Sequence, residues 1–175
     1  LTADITLDNG AFLNGTGKGI SKHLAGCYRI PHLSICWKDV CTNVSATGAY
    51  RAPGAPQTTF AIETAIDKLA SELEIDPLEF RKLNVARTGD PRPDGTPWPD
   101  GGQLACLEAV ESHPLWKSRH TDQASGTGIA IAGWIPLVDP CAATCHVDPD
   151  GTVVITLGAI DISGVYSSLV LVAAE

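Results

Sequence analysis

The chain has 175 residues, of which 44% are hydrophobic and 18% charged, and its formal net charge is −8. A chain of this length makes one domain or two small lobes and can bury a core of its own. No apolar run approaches the roughly 20 residues that a membrane-spanning helix needs. An acidic balance without a basic cluster also lacks the positive surface that nucleic-acid binding requires. We therefore expect neither a membrane span nor a nucleic-acid partner.

The first 44 residues predict two strands with short connections between them. Residues 1–13 alternate as a strand does, and Asp8-Asn9-Gly10 predicts a hairpin turn. Residues 15–19 carry three glycines but lack the spacing of a phosphate-binding loop, so we interpret them as a flexible connector. Residues 22–26 predict a short helix or turn, and residues 30–44 alternate well enough for a second strand.

Residues 48–57 combine a rigid backbone with a single positive charge. Pro53 and Pro56 each remove a backbone donor, while Gly54 permits a φ angle that other residues resist. N–H groups near a helix start, with the guanidinium of Arg51 beside them, suit an anion such as a phosphate or the oxygens of a pterin. From the residues alone, the alternative is a helix lead-in that carries a surface arginine.

Two helices are predicted directly after this segment. Over residues 59–73, apolar side chains recur at three- and four-residue steps and are expected to form one buried face, namely Ile62, Ala65, Ile66, Leu69 and Leu73. The charged residues between them are expected to face solvent, namely Glu63, Asp67, Lys68 and Glu72. Asp76 as the cap, Pro77 at the first helical position and Glu79 as the third residue of a capping box predict the second helix.

The second half predicts a connector and a further set of strands. Residues 87–102 are too rich in proline and glycine for regular structure, and we expect Trp98 to order them. A helix is predicted over residues 104–111. Strands are predicted over residues 126–134, 141–147 and 152–157, with a turn at Asp150-Gly151, and an apolar helix over residues 168–175.

These elements predict an α+β fold made of two small mixed lobes with strands and packed helices. The first lobe is expected to span residues 1–86 and to carry the 48–57 segment and the helices over 59–84. Residues 87–125 are expected to form the linker with its short helix. Residues 126–175 are expected to form a second lobe that is incomplete at its C-terminus.

Six cysteines are present, at positions 27, 36, 41, 106, 141 and 145. They are too sparse for a disulfide scaffold and include no C-x-x-C pair. Cys141-Ala142-Ala143-Thr144-Cys145-His146 comes nearest to a metal-ligand set. Because no second ligand pair accompanies it, we interpret it as a strand with small buried thiols.

Several motifs occur along the chain in an order that resembles one known family. They are Asp8-Asn9-Gly10-Ala11-Phe12, Cys27-Tyr28-Arg29-Ile30-Pro31, the 48–57 segment, residues 76–84, Asp150-Gly151-Thr152-Val153 and residues 158–164. Together they resemble the molybdenum-binding large subunit of the xanthine dehydrogenase and aldehyde oxidase family, the molybdenum hydroxylases. The resemblance covers nearly the whole chain and implies part of a molybdopterin-binding domain.

The resemblance implies an oxidoreductase function within a larger complex. Such an enzyme is a molybdenum-cofactor-dependent hydroxylase or dehydrogenase that oxidises an aldehyde or an N-heterocycle with oxygen from water. The implied cofactors are molybdenum on molybdopterin, shared with segments outside this chain, and iron–sulfur clusters with flavin or another acceptor on partner domains. The implied partners are the remaining parts of the molybdenum subunit, the iron–sulfur and flavin or cytochrome partners, and a small-molecule substrate. The expected compartment is the cytoplasm, with the periplasm as the alternative.

The resemblance also assigns cofactor-binding residues. Ala49, Tyr50 and Arg51 fall on the family's cofactor-contacting turn, and Arg51 would help to place the molybdenum centre. Ser163 and Gly164 match, more loosely, a second turn that contacts the pterin.

The resemblance implies no catalytic residue and no metal ligand in this chain. The family's catalytic glutamate lies in a Gly-Glu motif that would follow Glu175. We therefore expect a fragment or split subunit that is inactive in isolation. Pro53 stands where xanthine oxidases carry an aromatic residue that sandwiches the purine, which disfavours a purine substrate. The open alternative is a non-catalytic scaffold or assembly subunit of such an enzyme.

Overall fold

The computed structural model describes residues 1–15, 17–92, 94–119, 126–134, 140–161 and 164–174. The chain divides into two compact units, Leu1–Trp134 and Ile135–Glu175. Within the described residues the elements are, in chain order, β1 (Thr2–Asp8), α1 (Gly17–His23), β2 (Ser34–Val40), α2 (Ala55–Glu72), α3 (Pro77–Asn84), α4 (Gln103–Ser112), α5 (Pro114–Lys117), β3 (Ala143–Val147), β4 (Val153–Leu157) and α6 (Val165–Ala174). The predicted α+β class is confirmed.

The first sheet consists of β1 and β2, which pair in parallel from Thr2 opposite Ser34 to Asp8 opposite Val40. The predicted hairpin at residues 8–10 is therefore wrong, because parallel neighbours need a crossover connection rather than a tight turn. That connection contains α1, which begins at Gly17, so residues 17–19 of the predicted flexible connector are helical instead. Ile20 and Leu24 are buried, and this burial holds the connection in place.

Helix α2 confirms the predicted helix but begins four residues earlier, at Ala55. Its buried stripe runs at four-residue steps through Thr58, Ile62, Ile66 and Ala70. Three residues expected on that face are instead exposed, namely Ala65, Leu69 at 46% and Leu73 at 57%. The buried face of α2 is thus rotated from the predicted one and includes Glu63.

Glu63 was expected to face solvent, and this prediction is wrong because donors from three residues meet its buried carboxylate. Arg81 of α3 donates from Nε at 2.9 Å and from Nη2 at 2.7 Å to Oε2. The hydroxyl of Tyr28 donates to Oε1 at 2.5 Å, and the backbone N–H of Ile131 donates to Oε2 at 3.2 Å. A buried charge is tolerated when it is paired and hydrogen-bonded in this way.

The guanidinium of Arg81 is fully buried and is satisfied from several sides. Besides Glu63, it reaches Asp67 Oδ1 at 2.7 Å and the carbonyl of Pro77 at 3.0 Å. Burial opposes its charged form, but the hydrogen bonds to Asp67 and Glu63 outweigh burial and raise the pKa of Arg81. Burial, together with the hydrogen bond to Glu63, also raises the pKa of Tyr28. Arg81 therefore stays a cation and Tyr28 stays a neutral phenol at ordinary pH.

Helix α3 starts as predicted, since Asp76 Oδ1 accepts from the backbone N–H groups of Leu78 at 2.9 Å and Glu79 at 3.2 Å. Its apolar side completes two clusters. One contains Tyr28, Ile62, Ile66, Ala70 and Phe80. The other contains Leu78, Val85, Leu107 and Trp116.

Residues 126–134 differ from the prediction, which placed them as a strand of the second lobe. They form no ladder and belong to the first unit. Ile131 packs against both apolar clusters, and its N–H reaches Glu63. The buried carboxylate gives this segment a hydrogen-bond partner other than a neighbouring strand.

The proline- and glycine-rich connector is ordered around Trp98, and the helix predicted after it is confirmed as α4. Trp98 exchanges backbone hydrogen bonds with Gly89 and Asp90, at 2.9 and 2.8 Å. The guanidinium carbon of Arg92 lies 5.0 Å from the centre of the Trp98 ring, which is a cation–π distance.

In the second unit, β3 and β4 pair in an antiparallel hairpin from Ala143 opposite Leu157 to Val147 opposite Val153. The two predicted strands and the turn between them are confirmed. Cys141 and Cys145 are exposed, so the expected burial of their thiols is wrong. The predicted terminal helix is present as α6, and none of its residues is buried.

No helix in the described ranges is both long and apolar enough to span a bilayer.

We predict that Arg81→Ala lowers the free energy of unfolding by about 3 to 5 kcal/mol, because it leaves the Glu63 carboxylate buried without its main partner. Urea denaturation of the chain measures this loss. Lys82→Ala is the matched control on the same helix, because Lys82 pairs with half-exposed Glu79 and Glu111 and such pairs contribute little. Equal losses from the two variants would contradict a structural role for the buried pair.

Candidate functional site

The predicted cofactor-contacting residues Ala49, Tyr50 and Arg51 lie in an exposed turn between β2 and α2. We call residues 48–54 the 48–54 turn. Tyr50 is 86% exposed, and φ is +27° at Arg51 and +51° at Ala52. Positive φ at a residue with a side chain costs roughly 1 to 2 kcal/mol. Such strain persists only where the surroundings impose it, and it occurs most often at functional positions.

The downstream end of the turn is fixed by Gly54, the N-cap of α2, at φ +84°. A Cβ atom at this position would overlap the side chain of Ile20 in α1. The carbonyl of Gly54 accepts from Thr58 N at 3.0 Å and from Thr58 Oγ1 at 2.9 Å, and Ala55 N donates to Ala52 O at 3.0 Å. The prediction that Gly54 supplies a special φ angle is confirmed.

The upstream end is held by the segment that follows β1. Thr47 N donates to the carbonyl of Asn9 at 3.1 Å, and Ala11 N donates to Val44 O at 3.1 Å. Asn14 Nδ2 donates to Thr47 Oγ1 at 2.9 Å and to Thr47 O at 3.2 Å. Two segments separated by more than 30 residues are thus joined directly before the turn.

Asp8 stabilises the same junction. Its Oδ1 accepts from Gly10 N at 2.8 Å and from Thr42 Oγ1 at 2.7 Å. These two hydrogen bonds, that from Gly10 first, lower the pKa of Asp8. Because the folded pKa lies below the ordinary value, this stabilisation is present above the ordinary pKa and is lost as the pH falls through the folded one.

Sequence reasoning did not find the residues that hold the turn. Asp8-Asn9-Gly10 predicts a hairpin turn instead, and Asn14 carries no local signal. Their partners are distant in sequence, and polar contacts of this kind have no periodicity. The only local sign in the sequence is Asn9-Gly10 at the end of β1, because a glycine allows another backbone segment to come close.

The second predicted contact lies in the other unit. Gly164 has φ +79°, and its N–H donates to Asp161 Oδ1 at 2.6 Å, beside Val165 N at 2.9 Å. Asp161 thereby caps the start of α6. Ser163 lies outside the described residues, so the assignment of this pair remains a prediction.

No group of three or more His, Cys, Asp or Glu side chains that could hold a metal ion occurs in the part of the chain that the structure describes. The described residues therefore offer backbone donors and a cation rather than a ligand set.

Residues 1–85 match the family described as molybdopterin cofactor-binding domain. The chain is 30% identical over 178 residues to the xanthine dehydrogenase molybdenum-binding subunit of Escherichia coli O157:H7, covering 91% of this chain and 23% of the relative. It is 44% identical over 137 residues to the aldehyde oxidoreductase of Megalodesulfovibrio gigas, covering 73% of this chain and 15% of the relative. The chain belongs to the family of xanthine dehydrogenase and aldehyde oxidoreductase molybdenum-binding subunits.

The fold agrees with this membership. The structure of the aldehyde oxidoreductase from Desulfovibrio gigas superposes with a TM-score of 0.65 at 27% identity, covering 88% of this chain and 19% of that one. The chain thus spans only 15% to 23% of the length of the two relatives compared by sequence.

The 48–54 turn fits the family's cofactor, an organic anion. Within the described residues, the backbone N–H groups of residues 48–51 have no hydrogen-bond partner, and the guanidinium of Arg51 contacts no carboxylate. Exposed N–H groups beside a guanidinium are the donors that phosphate and pterin oxygens accept from. Ala49, Tyr50 and Arg51 therefore remain the residues that we predict to contact the cofactor.

We predict that Gly54→Ala destabilises the chain by at least about 2 kcal/mol, because the added Cβ forces both a strained φ angle and an overlap with Ile20. Urea denaturation measures the loss. Gly48→Ala is the matched control, since no atom lies within 4 Å of a Cβ placed there. If the two variants lose equal stability, the close packing of Gly54 on α1 does not fix the turn.

Proposed function

We propose that this chain supplies one part of the molybdopterin site in an enzyme that oxidises an aldehyde or an N-heterocycle with oxygen from water. The observation that carries the proposal is the 48–54 turn, which presents Arg51 and free N–H groups while both of its ends are fixed. Membership of the molybdopterin cofactor-binding family supports it.

The role proposed for the chain's own residues is binding and orientation. Arg51 would donate to an anionic oxygen of the cofactor, and the N–H groups of residues 49–51 would add neutral donors. Because the turn is held before the ligand arrives, little ordering accompanies binding. The bound molybdenum cofactor supplies the redox chemistry.

The similarity to an aldehyde oxidoreductase structure supports the proposed substrate class. Pro53 adds to this support, because it offers no aromatic face for stacking a purine beside the turn. It is partly buried directly before Gly54.

The remainder of a molybdenum-binding subunit is the first partner we propose. The chain's small share of its relatives' length supports this partner. Helix α6 supports it too, because Val170, Leu171 and Val172 are each more than two-thirds exposed, and extensive exposed apolar surface marks a contact region. Iron–sulfur and flavin or other electron-accepting domains complete the proposed assembly.

We predict that Arg51→Ala, in the complete enzyme, lowers both the molybdenum content per subunit and the turnover rate, because one charged donor to the cofactor is lost. Metal analysis and steady-state kinetics measure the two quantities. Arg29→Ala is the matched control, since Arg29 is also an exposed arginine of the first unit. Unchanged metal content and turnover in Arg51→Ala would favour the alternative function, a non-catalytic scaffold or assembly subunit.

We also predict that the isolated chain retains no stoichiometric molybdenum and regains binding when the rest of the subunit is supplied. The physical reason is that one turn offers too few donors to hold the cofactor alone. Metal analysis after gel filtration tests this expectation. Tight, stoichiometric metal in the isolated chain would contradict the proposal that the site is shared.

A further inference from the structure

We infer that Asp39 is a positioning residue for the 48–54 turn, because one of its carboxylate oxygens is linked to both ends of that turn. The inference rests on the proposed function, in which the turn contacts the cofactor. Asp39 lies near the end of β2 and is half-buried. Its Oδ1 accepts from Asn9 Nδ2 at 2.9 Å and from Gly17 N at 3.2 Å.

The first link leads to the upstream end. Asn9 is fully buried, and its carbonyl accepts from Thr47 N at 3.1 Å, directly before the turn. Among the residues that the structure describes, the side-chain oxygen of Asn9 has no hydrogen-bond partner, so the donation to Asp39 is what orients its amide. Without Asp39, a buried amide would lose its side-chain partner, which is costly in a closed environment.

The second link leads to the downstream end through α1. Gly17 opens α1, and a Cβ atom there would lie 2.7 Å from Asp39 Oδ1 and 2.9 Å from Trp37 Cδ1. The helix start is therefore packed directly on the Asp39 side chain. One turn further along α1, Ile20 packs against Gly54, the residue that closes the 48–54 turn.

The exposed residues of the 48–54 turn lie between its upstream end at Thr47 and its downstream end at Gly54. Ala49, Tyr50 and Arg51 have no tertiary hydrogen bond of their own in the described residues, so their position depends on how the ends are held. Both hydrogen bonds end on the Oδ1 of the Asp39 carboxyl group, an acceptor type that makes stronger hydrogen bonds than an amide oxygen does. Among the described residues, no hydrogen bond or ion pair joins Asp39 to the 48–54 turn, so it acts through Asn9 and α1.

The test uses the complete enzyme with Asp39→Ala, Asp39→Asn, Arg51→Ala and the Asp39→Ala/Arg51→Ala double variant. Asp4→Ala is the matched control, since Asp4 is an exposed carboxylate on the neighbouring strand. Two quantities are measured: the molybdenum retained per subunit after gel filtration, and amide hydrogen exchange over residues 47–55.

Asp39→Ala is expected to lower the retained molybdenum roughly tenfold, as is typical when a residue that orients contacting groups is lost. Exchange over residues 47–55 is expected to become faster, while exchange in α3 stays unchanged. Asp39→Asn keeps an acceptor oxygen and is expected to restore both quantities towards those of the unmodified enzyme. In the double variant the two losses are expected not to add, because Asp39 acts through the turn that carries Arg51.

Four outcomes would overturn the inference. If Arg51→Ala loses molybdenum while Asp39→Ala keeps it, the positioning role is wrong and the proposed function stands. If the molybdenum losses of Asp39→Ala and Arg51→Ala add fully in the double variant, Asp39 does not act through the 48–54 turn. If Arg51→Ala keeps its molybdenum, the proposed function fails and this inference fails with it. Should Asp39→Ala not assemble, Ile20→Val tests the downstream link, and unchanged exchange over residues 47–55 in that variant would overturn the inference.

Discussion

The first unit depends on the buried pair between Arg81 and Glu63. This pair joins α2 to α3, binds the N–H of Ile131 from a distant segment, and receives the hydroxyl of Tyr28. Four stretches of chain thus meet at one carboxylate. An unpaired carboxylate is costly when it is buried among apolar side chains. Alternative packings of the chain that bury Glu63 without its partners are therefore disfavoured. The pair therefore contributes to the specificity of the packing as well as to its stability.

This buried pair fixes α2, and α2 in turn sets where the 48–54 turn ends. The turn itself is strained at Arg51 and Ala52 and has few contacts of its own. Strain of that kind is maintained only when rigid structure lies on both sides. Asn9 with Thr47 on one side and Ile20 with Gly54 on the other provide it. The consequence is an exposed turn with a defined shape, which suits the recognition of a rigid anionic ring system better than a flexible loop would.

Local patterns in the sequence predicted most helices and the strands of the second unit. The cap at Asp76, the presence of helix α2 and the turn at Asp150-Gly151 depend on neighbouring residues, and each is confirmed. The errors occur where distant partners decide the outcome. A parallel strand in place of a hairpin, a helix beginning at Gly17 and a buried Glu63 all depend on residues more than 15 positions away. Periodicity carries no information on such partners, whereas family resemblance correctly indicated the molybdopterin-binding class.

The arginines show why a residue type alone does not reveal a binding role. Arg81 is fully enclosed by acceptors, Arg119 pairs with Asp76 and lies 4.0 Å from the centre of the Trp116 ring, and Arg92 lies over Trp98. Each of these cations has an intramolecular partner that neutralises it or covers its face. Arg51 differs, because its guanidinium contacts no carboxylate or ring among the described residues and projects from a turn of fixed shape. The proposed function accounts for this arrangement, because a cation that no acidic side chain neutralises, on a strained and anchored turn, suits an anionic ligand.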